Sequence, residues 1–167
     1  MKKATTAEIL PAIGAPFEGG RFGGRFFIDA KPFGIVLAPK SSQIAAIAWN
    51  DTPKRVAGAL SVCDGLANTQ AMAKAGSKLA EKLLNLKIGG HSDWYLLSRL
   101  EALVLLGNDV TGKAFGPDAL DKLAYWTSSQ YAGNEGFAWS QLFGYGNQDY
   151  YLKDTELLAR AVRRFAI

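Results

Sequence analysis

The last third of the chain, residues 125–164, limits the possible folds more than any other part. Nine of the chain's 19 aromatic residues lie between Tyr125 and Tyr151, and no Lys or Arg interrupts that segment. Within it, residues 137–143 alternate ring and polar side chains imperfectly, and residues 148–152 can pair with them across a turn at residues 144–147. The C-terminal part of the chain is therefore predicted to consist mainly of β-strands.

The same segment has the composition of a recognition surface. Ser, Asn, Gln and Gly are frequent between its rings, and Glu135 and Asp149 are its only acids. Rigid amphipathic rings give contact area at small entropic cost, while small polar side chains adapt to a partner. We therefore expect this segment to bind a partner rather than to carry out chemistry.

Composition limits the class of protein. A chain of 167 residues with 49% hydrophobic and 20% charged residues is expected to fold as one domain around one core. The net charge is +4, but the cations are scattered and the aromatic segment lacks them, which is the reverse of a nucleic-acid-binding groove. Cys63 is the only cysteine, so intramolecular disulfides and multi-cysteine metal sites are excluded.

The sequence indicates neither a signal peptide nor membrane insertion. Residues 1–3 are basic, but residues 4–12 include Glu8 and Pro11 and form no apolar core region. The longest helical pattern is interrupted by charged residues between Lys74 and Lys82, so it cannot span a bilayer. We expect the protein to be made in the cytoplasm of its producer and to act outside it as part of a virion.

We divide the chain into an extended Gly-rich N-terminal arm, residues 1–24, and a single domain, residues 25–167. Five glycines between Gly14 and Gly24 make regular structure unexpected before Arg25, and such arms commonly attach a domain to a neighbour. Two strands are predicted next, at residues 25–29 and 33–38, joined by a three-residue connection.

Two helices are predicted between residues 52 and 88. Thr52 followed by Pro53 is typical of a helix start, and Cys63 then falls on the apolar stripe of that helix, where it is expected to be inert. Asn68 is the predicted cap of the second helix, whose apolar face continues until the glycine pair at residues 89–90.

A third helix and a closing strand complete the prediction. Ser98 with Glu101 forms a capping box, and Gly107 is expected to end the helix that it begins. A last strand is predicted over residues 158–165. The fold class is therefore α+β, in which short strands from both ends of the chain form a small antiparallel sheet packed with two or three helices.

Two motifs resemble those of a known family. They are Gly90-His91-Ser92-Asp93-Trp94-Tyr95-Leu96-Leu97-Ser98-Arg99-Leu100-Glu101, and Tyr125-Trp126-Thr127-Ser128-Ser129 followed by Ala138-Trp139, Phe143, Gly146 and Arg160-Ala161-Val162-Arg163. At these residues the chain resembles the C-type-lectin-like domains typified by the C-terminal domain of a collagen-like bacterial adhesin, which also occur in phage and prophage structural proteins. The resemblance covers residues 89–165, and the N-terminal part looks like the phage-borne branch.

The resemblance implies a C-type-lectin-like fold in which the motif residues are mainly structural. Trp94, Trp126 and Trp139 would be core aromatics, and the strand that carries Arg160 would close the sheet. Leu97 stands where the family usually has Pro, so the entry to the third helix is expected to be looser.

No metal, cofactor or enzymatic activity is expected. Calcium-dependent members of this fold use a Trp-Asn-Asp strand near the C-terminus, whereas residues 49–51 spell that tripeptide ahead of the helices and without clustered carboxylates. Formylglycine-generating oxidases of the same fold need a reactive cysteine pair, and this chain has one cysteine. Residues 91–93 spell His-Ser-Asp, but adjacent residues cannot form a linear catalytic triad.

The first functional hypothesis is a receptor-binding protein of a phage or prophage tail fibre or tail tip. Its lectin-like face would recognise a bacterial surface glycan or protein, residues 1–24 would bind other virion subunits, and the protein would be a homo-oligomer, with a trimer favoured. The candidate ligand-binding residues lie between the structural motif positions: Tyr131, Asn134, Glu135, Phe137, Gln141, Tyr145, Asn147, Asp149 and Tyr150.

The alternative is a capsid-decorating or other structural virion protein that binds neighbouring subunits. In that case the Gly-rich arm would carry the affinity by adding backbone to a neighbour. Neither hypothesis involves nucleic acid.

Overall fold

The computed structural model describes residues 9–167 of the chain. Over these residues it has ten β-strands and three α-helices, with short 3-10 helices at Lys40–Ser42 and Gly116–Asp118. The helices are α1 (Gly65–Lys74), α2 (Lys78–Leu84) and α3 (Arg99–Asn108). The strands are β1 (Pro16–Phe17), β2 (Gly20–Ile28), β3 (Lys31–Leu37), β4 (Ile44–Ala48), β5 (Tyr95–Leu96), β6 (Ala124–Gln130), β7 (Phe137–Leu142), β8 (Gln148–Leu152), β9 (Glu156–Ala159) and β10 (Ala161–Ala166). The predicted α+β class is confirmed.

Two five-stranded sheets form the framework, rather than the one small sheet that was predicted. The first has the order β1-β2-β3-β10-β5, and the second has the order β4-β9-β6-β7-β8. In the first sheet β3 and β10 are antiparallel neighbours, with Leu37 opposite Val162 and Phe33 opposite Ala166. Strands from both ends of the chain therefore lie side by side, as predicted.

The chain passes from the second sheet to the first at Arg160. The sequence predicted one closing strand over residues 158–165, but β9 ends at Ala159 and β10 begins at Ala161. The buried Arg160 guanidinium donates from Nη1 to the carbonyls of Ala38 (3.1 Å) and Asp118 (3.0 Å), and from Nη2 to Gln43 Oε1 (2.6 Å). These bonds hold the crossing point between the sheets.

The hairpin of β2 and β3 is longer than the sequence predicted. Its strands span Gly20–Ile28 and Lys31–Leu37, so the turn has two residues instead of three. Both turn residues, Asp29 and Ala30, have positive φ angles of 48° and 63°. Two positive φ values are characteristic of a type I′ turn, whose twist matches that of the flanking strands.

The predicted boundary of the N-terminal arm at residue 24 is wrong for residues 16–24. Pro16 pairs with Arg21 across β1 and β2, and β2 continues without interruption to Ile28. A Cβ at Gly23 would lie 2.4 Å from Leu105 Cδ2, and a Cβ at Gly24 would lie 2.3 Å from Asn108 Nδ2. These glycines therefore let α3 pack against β2. Residues 1–8 of the arm lie outside the described part of the chain.

The helix predicted at Thr52 does not form. The second predicted helix, which was expected to be capped by Asn68, corresponds to two separate helices, α1 and α2. Residues 50–63 have no helix; α1 begins after its cap Asp64, and α2 begins after its cap Ser77. The buried Asn68 accepts from the backbone N–H of Ser61 (3.0 Å) and donates to its carbonyl (2.8 Å). Its side chain thus holds a loop instead of capping a helix. Cys63, predicted to be buried, is half-buried.

The capping box of α3 is present as predicted. Ser98 Oγ accepts from the N–H of Glu101 (3.3 Å), and Glu101 Oε2 accepts from the N–H of Ser98 (2.7 Å). The buried side of the helix is Glu101, Ala102 and Leu105, whereas Leu103 is 43% exposed.

The core contains three completely buried tryptophans. The indole N–H of Trp49 donates to Thr127 O (2.9 Å) and that of Trp126 to Ile47 O (2.8 Å), while Trp94 donates to His91 O (3.2 Å). Each buried indole therefore has a hydrogen-bond acceptor. The predicted core positions of Trp94 and Trp126 are confirmed.

Candidate recognition surface

The aromatic residues of the C-terminal segment divide between two faces of the second sheet. Strands β7 and β8 are antiparallel, with Trp139 opposite Tyr150 and Phe137 opposite Leu152. Since side chains two residues apart share a face, these four lie together. On the other face, Tyr151 packs edge-to-face against the buried Trp126, with ring centroids 6.5 Å apart.

Four rings of the first face form what we call the aromatic cluster: Tyr131, Phe137, Trp139 and Tyr150. Tyr131 and Tyr150 are stacked, with centroids 4.4 Å apart and planes 2° from parallel. Trp139 stands nearly perpendicular to both at 5.4 Å, and Phe137 is perpendicular to Tyr150 at 5.6 Å. Each such pair contributes about 0.5–1.5 kcal/mol beyond burial, so the rings stabilise one another.

The aromatic cluster faces solvent through Tyr150. Tyr150 is 41% exposed and the neighbouring Leu152 is 49% exposed. Tyr131, Phe137 and Trp139 are half-buried. The prediction that Trp139 is a core residue is therefore wrong, because β7 directs it to the outer face of the sheet.

Arg99, the first residue of α3, holds one side of the aromatic cluster. Its guanidinium carbon lies 3.8 Å from the centroid of the Trp139 ring. Arg99 Nε donates to Gln148 Oε1 (2.9 Å), and Gln148 Nε2 donates to the Arg99 carbonyl (2.9 Å). The reciprocal pair ties the helix start to β8. Sequence reasoning missed Arg99, because no local pattern relates it to Gln148, which lies 49 residues further along the chain.

Arg55 positions the loop between β6 and β7. Its guanidinium donates to the carbonyls of Tyr131 (3.1 Å) and Ala132 (3.1 Å), and its backbone N–H donates to Glu135 (3.3 Å). Arg55 belongs to the segment for which the sequence wrongly predicted a helix, so this role was also missed. The loop that carries Tyr131 is consequently held at several points.

The buried Lys153 stabilises the same region from the interior of the domain. Its ammonium group donates to Lys54 O (2.7 Å) and Gln130 Oε1 (3.0 Å) and lies 4.7 Å from the centroid of the Trp49 ring. Burial lowers the pKa of Lys153 to about 8, with a smaller contribution from the charge of Arg55. A buried cation with these acceptors fixes the loop around residue 54 to the end of β6.

Some of the predicted ligand-binding residues are in or beside the aromatic cluster. Tyr131, Phe137 and Tyr150 belong to it, and the exposed Asn134 and Glu135 lie in the adjoining loop. Asn134 Oδ1 accepts from the N–H of Gly136 (2.9 Å), which shapes that loop.

Other predicted residues lie elsewhere. Tyr145 is 85% exposed and shares the turn between β7 and β8 with the exposed Asn147. Asp149 is exposed but alternates to the opposite face from Tyr150.

Gln141 is completely buried and is therefore not part of an open surface, contrary to the prediction. Its Nε2 donates to Asn147 O (3.1 Å), which places its amide beneath the turn. Gln141 Oε1 is the buried side-chain oxygen in residues 9–167 that has no hydrogen-bond partner. The side chain supports the turn rather than forming part of the exposed face.

The two sequence motifs meet in the interior, where β5 and β10 pair, although their Trp139 lies in the aromatic cluster. Residues 161 and 162 of β10 pair with residues 96 and 95 of β5, which joins the first motif to the end of the second. Tyr125 Oη and the Arg160 guanidinium both donate to Gln43 Oε1. Their function is structural, and the aromatic cluster lies between them in sequence but outside the core.

Two general findings apply to the described part of the chain. Residues 9–167 contain no group of three or more His, Cys, Asp or Glu side chains placed to hold a metal ion. Over the same residues, every helix is too short or too polar to cross a membrane.

The fold and this surface define a small α+β domain with a partly exposed cluster of aromatic rings on its second sheet. The chain belongs to the Lcl C-terminal domain family, whose model matches residues 41–163. That family assignment indicates a surface or adhesin-type domain. No curated protein matches the chain. Strands β1, β2 and β3 precede the matched region, although β3 pairs with β10 inside it.

Proposed function

We propose that this chain is a receptor-binding protein of a phage or prophage virion, located at a tail fibre or tail tip. Its C-type-lectin-like face recognises a glycan or protein on the bacterial surface. Family membership and the aromatic cluster support the binding role, and the resemblance of the N-terminal part to phage-borne members supports the virion setting.

The observation that carries the proposal is the exposure of Tyr150 within a rigid set of rings. A ring that is 41% exposed yet stacked on Tyr131 and flanked by Trp139 is held in one orientation before any ligand arrives. Preorganised contacts lose little entropy on binding, which favours affinity. Tyr145, 85% exposed in the next turn, adds a second ring that a ligand can reach.

The proposed role is binding without catalysis. The side chains that the aromatic cluster offers are the rings of Tyr131, Phe137, Trp139 and Tyr150. Contact area, rather than a nucleophile or an acid–base pair, is what such a surface supplies.

Attachment to the virion is proposed to use the chain ahead of Pro16. Residues 16–24 pair within the first sheet, so they belong to the folded domain rather than to a separate arm. The protein is proposed to act as a homo-oligomer, with a trimer favoured, in contact with other virion subunits.

The test compares virions that carry the wild-type chain with virions that carry Tyr145→Ala and Tyr150→Ala together. We expect the double variant to assemble normally but to adsorb to host cells at least about tenfold more slowly, since aromatic hot spots dominate binding energy. Phe27→Ala is the matched control, because Phe27 is 58% exposed on β2 of the other sheet.

Two results would decide against the proposal. Unchanged adsorption by the double variant would show that the aromatic surface does not take part in receptor binding. A virion that fails to incorporate the double variant, while incorporating the Phe27→Ala control, would favour the structural alternative.

A further inference from the structure

We infer that β8, the edge strand that carries Tyr150, is a docking site to which an extended segment of a protein receptor adds as a further strand of the second sheet. This inference rests on the proposed receptor-binding function and names the class of partner and the way it binds. Three features lead to it: the regular edge of β8, the direction of its backbone groups, and the charges on its two faces.

Strand β8 lies at one edge of the second sheet in the described part of the chain. In the order β4-β9-β6-β7-β8 it has β7 as its neighbour, and all its residues, Gln148–Leu152, pair with β7 without a bulge. The strand at the other edge, β4, has a register shift between Ile44 and Ile47. Such irregularities commonly protect an edge from further pairing. Of these two edges, β8 is therefore the better shaped to accept another strand.

Alternate backbone groups of β8 point away from the sheet. The N–H of Lys153 donates to Gly136 O (2.9 Å). The N–H of Leu142 donates to Asn147 O (2.9 Å), so the odd-numbered residues of this segment bond to β7. In an antiparallel pair, the residues between them direct their N–H and C=O groups to the opposite side. The outward-directed residues are Gln148, Tyr150 and Leu152.

A partner strand can reach the outward groups at Tyr150. Asp149 and Tyr150 are both exposed. The N–H of Tyr150 is bonded to Asp149 Oδ1 at 2.8 Å, so a neighbouring side chain takes the place that a strand carbonyl would fill. Because this carboxylate is exposed, it can return to water when a partner carbonyl replaces it, and the exchange costs little.

The two faces of β8 carry opposite charges, which determines the kind of segment that fits. On the face of Gln148 and Tyr150, the Arg99 guanidinium bonds to Gln148 Oε1 and lies over the Trp139 ring, and both of these partners are neutral. On the other face, Asp149 presents an exposed carboxylate. Opposite charges on neighbouring strands stabilise a sheet. The partner segment is therefore expected to direct acidic or apolar side chains towards the rings and Lys or Arg towards Asp149.

A second copy of this chain fits the edge less well than such a segment. If Tyr150 of two antiparallel copies lay opposite each other, their two Asp149 residues would be diagonal neighbours on one face, about 7–8 Å apart. The repulsion between the two carboxylates disfavours this pairing.

The experiment measures the binding of synthetic peptides to the purified full chain by fluorescence anisotropy. The probe has about eight residues, longer than a typical strand, with valine and glutamate at odd positions and threonine and lysine at even positions. We expect it to bind with a Kd below about 1 mM, with its odd side chains towards the rings. In that register the odd residues bond to the backbone of β8. N-methylation of the odd residues should therefore weaken binding at least about tenfold, and N-methylation of the even residues by less than about threefold.

Paired variants of the chain test the backbone and the charge separately. Leu152→Pro removes an outward N–H without removing a bond to β7, whereas Leu152→Ala loses the side chain but keeps that N–H. The proline variant should bind the peptide at least about tenfold more weakly than the alanine variant. Asp149→Lys should reverse the preference, so that glutamate at the even positions binds better than lysine. Glu81→Lys, the same change of charge at an exposed position on α2, should keep the wild-type preference.

The outcomes separate this inference from the proposed function. Equal binding by the two N-methylated peptides, or no peptide binding up to about 1 mM, would overturn strand addition. Protease-treated host cells that still bind the chain through Tyr150 would show that the receptor is not a protein, which overturns the inference while receptor binding stands. A dimer that Leu152→Pro abolishes and Leu152→Ala keeps would assign the edge to a second copy, which also overturns it. If untreated host cells do not bind the chain at all, the proposed function itself fails.

Discussion

Asp93 and Arg163 form a two-pronged ion pair that joins the two sequence motifs. Asp93 Oδ1 lies 2.8 Å from Arg163 Nε, and Asp93 Oδ2 lies 2.9 Å from Arg163 Nη2. Arg163 also contacts Glu18, which precedes β2, and its side chain is only 8% exposed. One guanidinium thus connects the segment before β5, the strand β10 and the N-terminal strands.

The first prediction concerns this guanidinium. Arg163→Lys keeps the charge but loses the planar fork, so we expect the free energy of unfolding to fall by about 1–2 kcal/mol. Urea denaturation measures the change. Lys78→Ala removes an ion pair with Asp51 in which both side chains are mostly exposed, and should change stability much less than Arg163→Lys does. Equal losses in the two variants would contradict the role given to Arg163.

The same pair predicts acid sensitivity. The hydrogen bonds from Arg163 lower the pKa of Asp93 from its ordinary value. A carboxyl whose folded-state pKa is lowered contributes stability above its unfolded pKa and loses it as the pH falls through the folded value. We expect Asp93→Asn to be less stable than wild type at pH 6, and the difference to shrink below pH 4. A difference that stays constant over this range would exclude ionisation of Asp93 as the cause.

Glu101 is expected to give the free energy of unfolding a pH dependence of the opposite sign. Burial raises its pKa from 4.5 to about 7, although Tyr95 and the backbone of Ser98 donate to it. A carboxyl with a raised folded-state pKa contributes its full stability below the unfolded value and loses it as the pH rises through 7. We expect Glu101→Gln to reduce the loss of stability between pH 5 and pH 8, a loss of about 2 kcal/mol in the wild type.

The measurement is urea denaturation of both proteins at several pH values. Asn134→Ala, on the exposed loop, is the control and should follow the wild-type curve. A Glu101→Gln variant with the same slope as wild type would show that another group titrates in this range.

Alanine substitutions at two helix glycines, Gly65 and Gly107, are expected to change stability in opposite directions. A Cβ at Gly65, the first residue of α1, would lie 2.4 Å from Glu101 Oε2 and 2.8 Å from Leu96 O, whereas a Cβ at Gly107 in α3 would meet nothing within 4 Å. Gly65→Ala should therefore destabilise by about 1–3 kcal/mol. Gly107→Ala should stabilise by about 0.5–1 kcal/mol, because alanine is the better helix former. Thermal unfolding compares them, and equal signs would contradict the packing described at Gly65.

The sequence predicted the elements whose signals are local. The capping box at Ser98 and Glu101 needs only two side chains three residues apart, and β7 and β8 pair across a short turn. The helix expected at Thr52 failed because side chains outside that segment bind its backbone: the distant Gln130 bonds to both backbone groups of Val56, and the nearer Asn68 to those of Ser61. Helix propensity is weak compared with such contacts.

The candidate site was predictable only in part for the same reason. Alternation along β7 and β8 pointed to Phe137 and Tyr150, but it could not distinguish the outer position of Trp139 from the buried position of Trp126. The contacts of Arg99 and Arg55 with the aromatic cluster join residues far apart in sequence. A single sequence contains no signal that pairs them.

Arg99 gives a prediction about the rigidity of the aromatic cluster. Arg99→Ala removes the cation over Trp139 and the hydrogen bond from Arg99 Nε to Gln148, so we expect the near-ultraviolet circular dichroism of the rings to weaken and stability to fall by about 1 kcal/mol. Arg99→Lys should not restore the signal, because an ammonium lacks the planar fork. Arg25→Ala, at an exposed position on β2, is the control. An unchanged spectrum in Arg99→Ala would contradict the positioning role.

Receptor binding through the aromatic cluster is tested most directly by the binding of purified chain to cells of the host bacterium, compared between wild type and Tyr150→Ala at matched concentrations. We expect saturable binding by the wild type and by Phe27→Ala, and at least about tenfold weaker binding by Tyr150→Ala. Equal binding by wild type and a folded Tyr150→Ala would contradict the central claim that the aromatic cluster is the recognition surface.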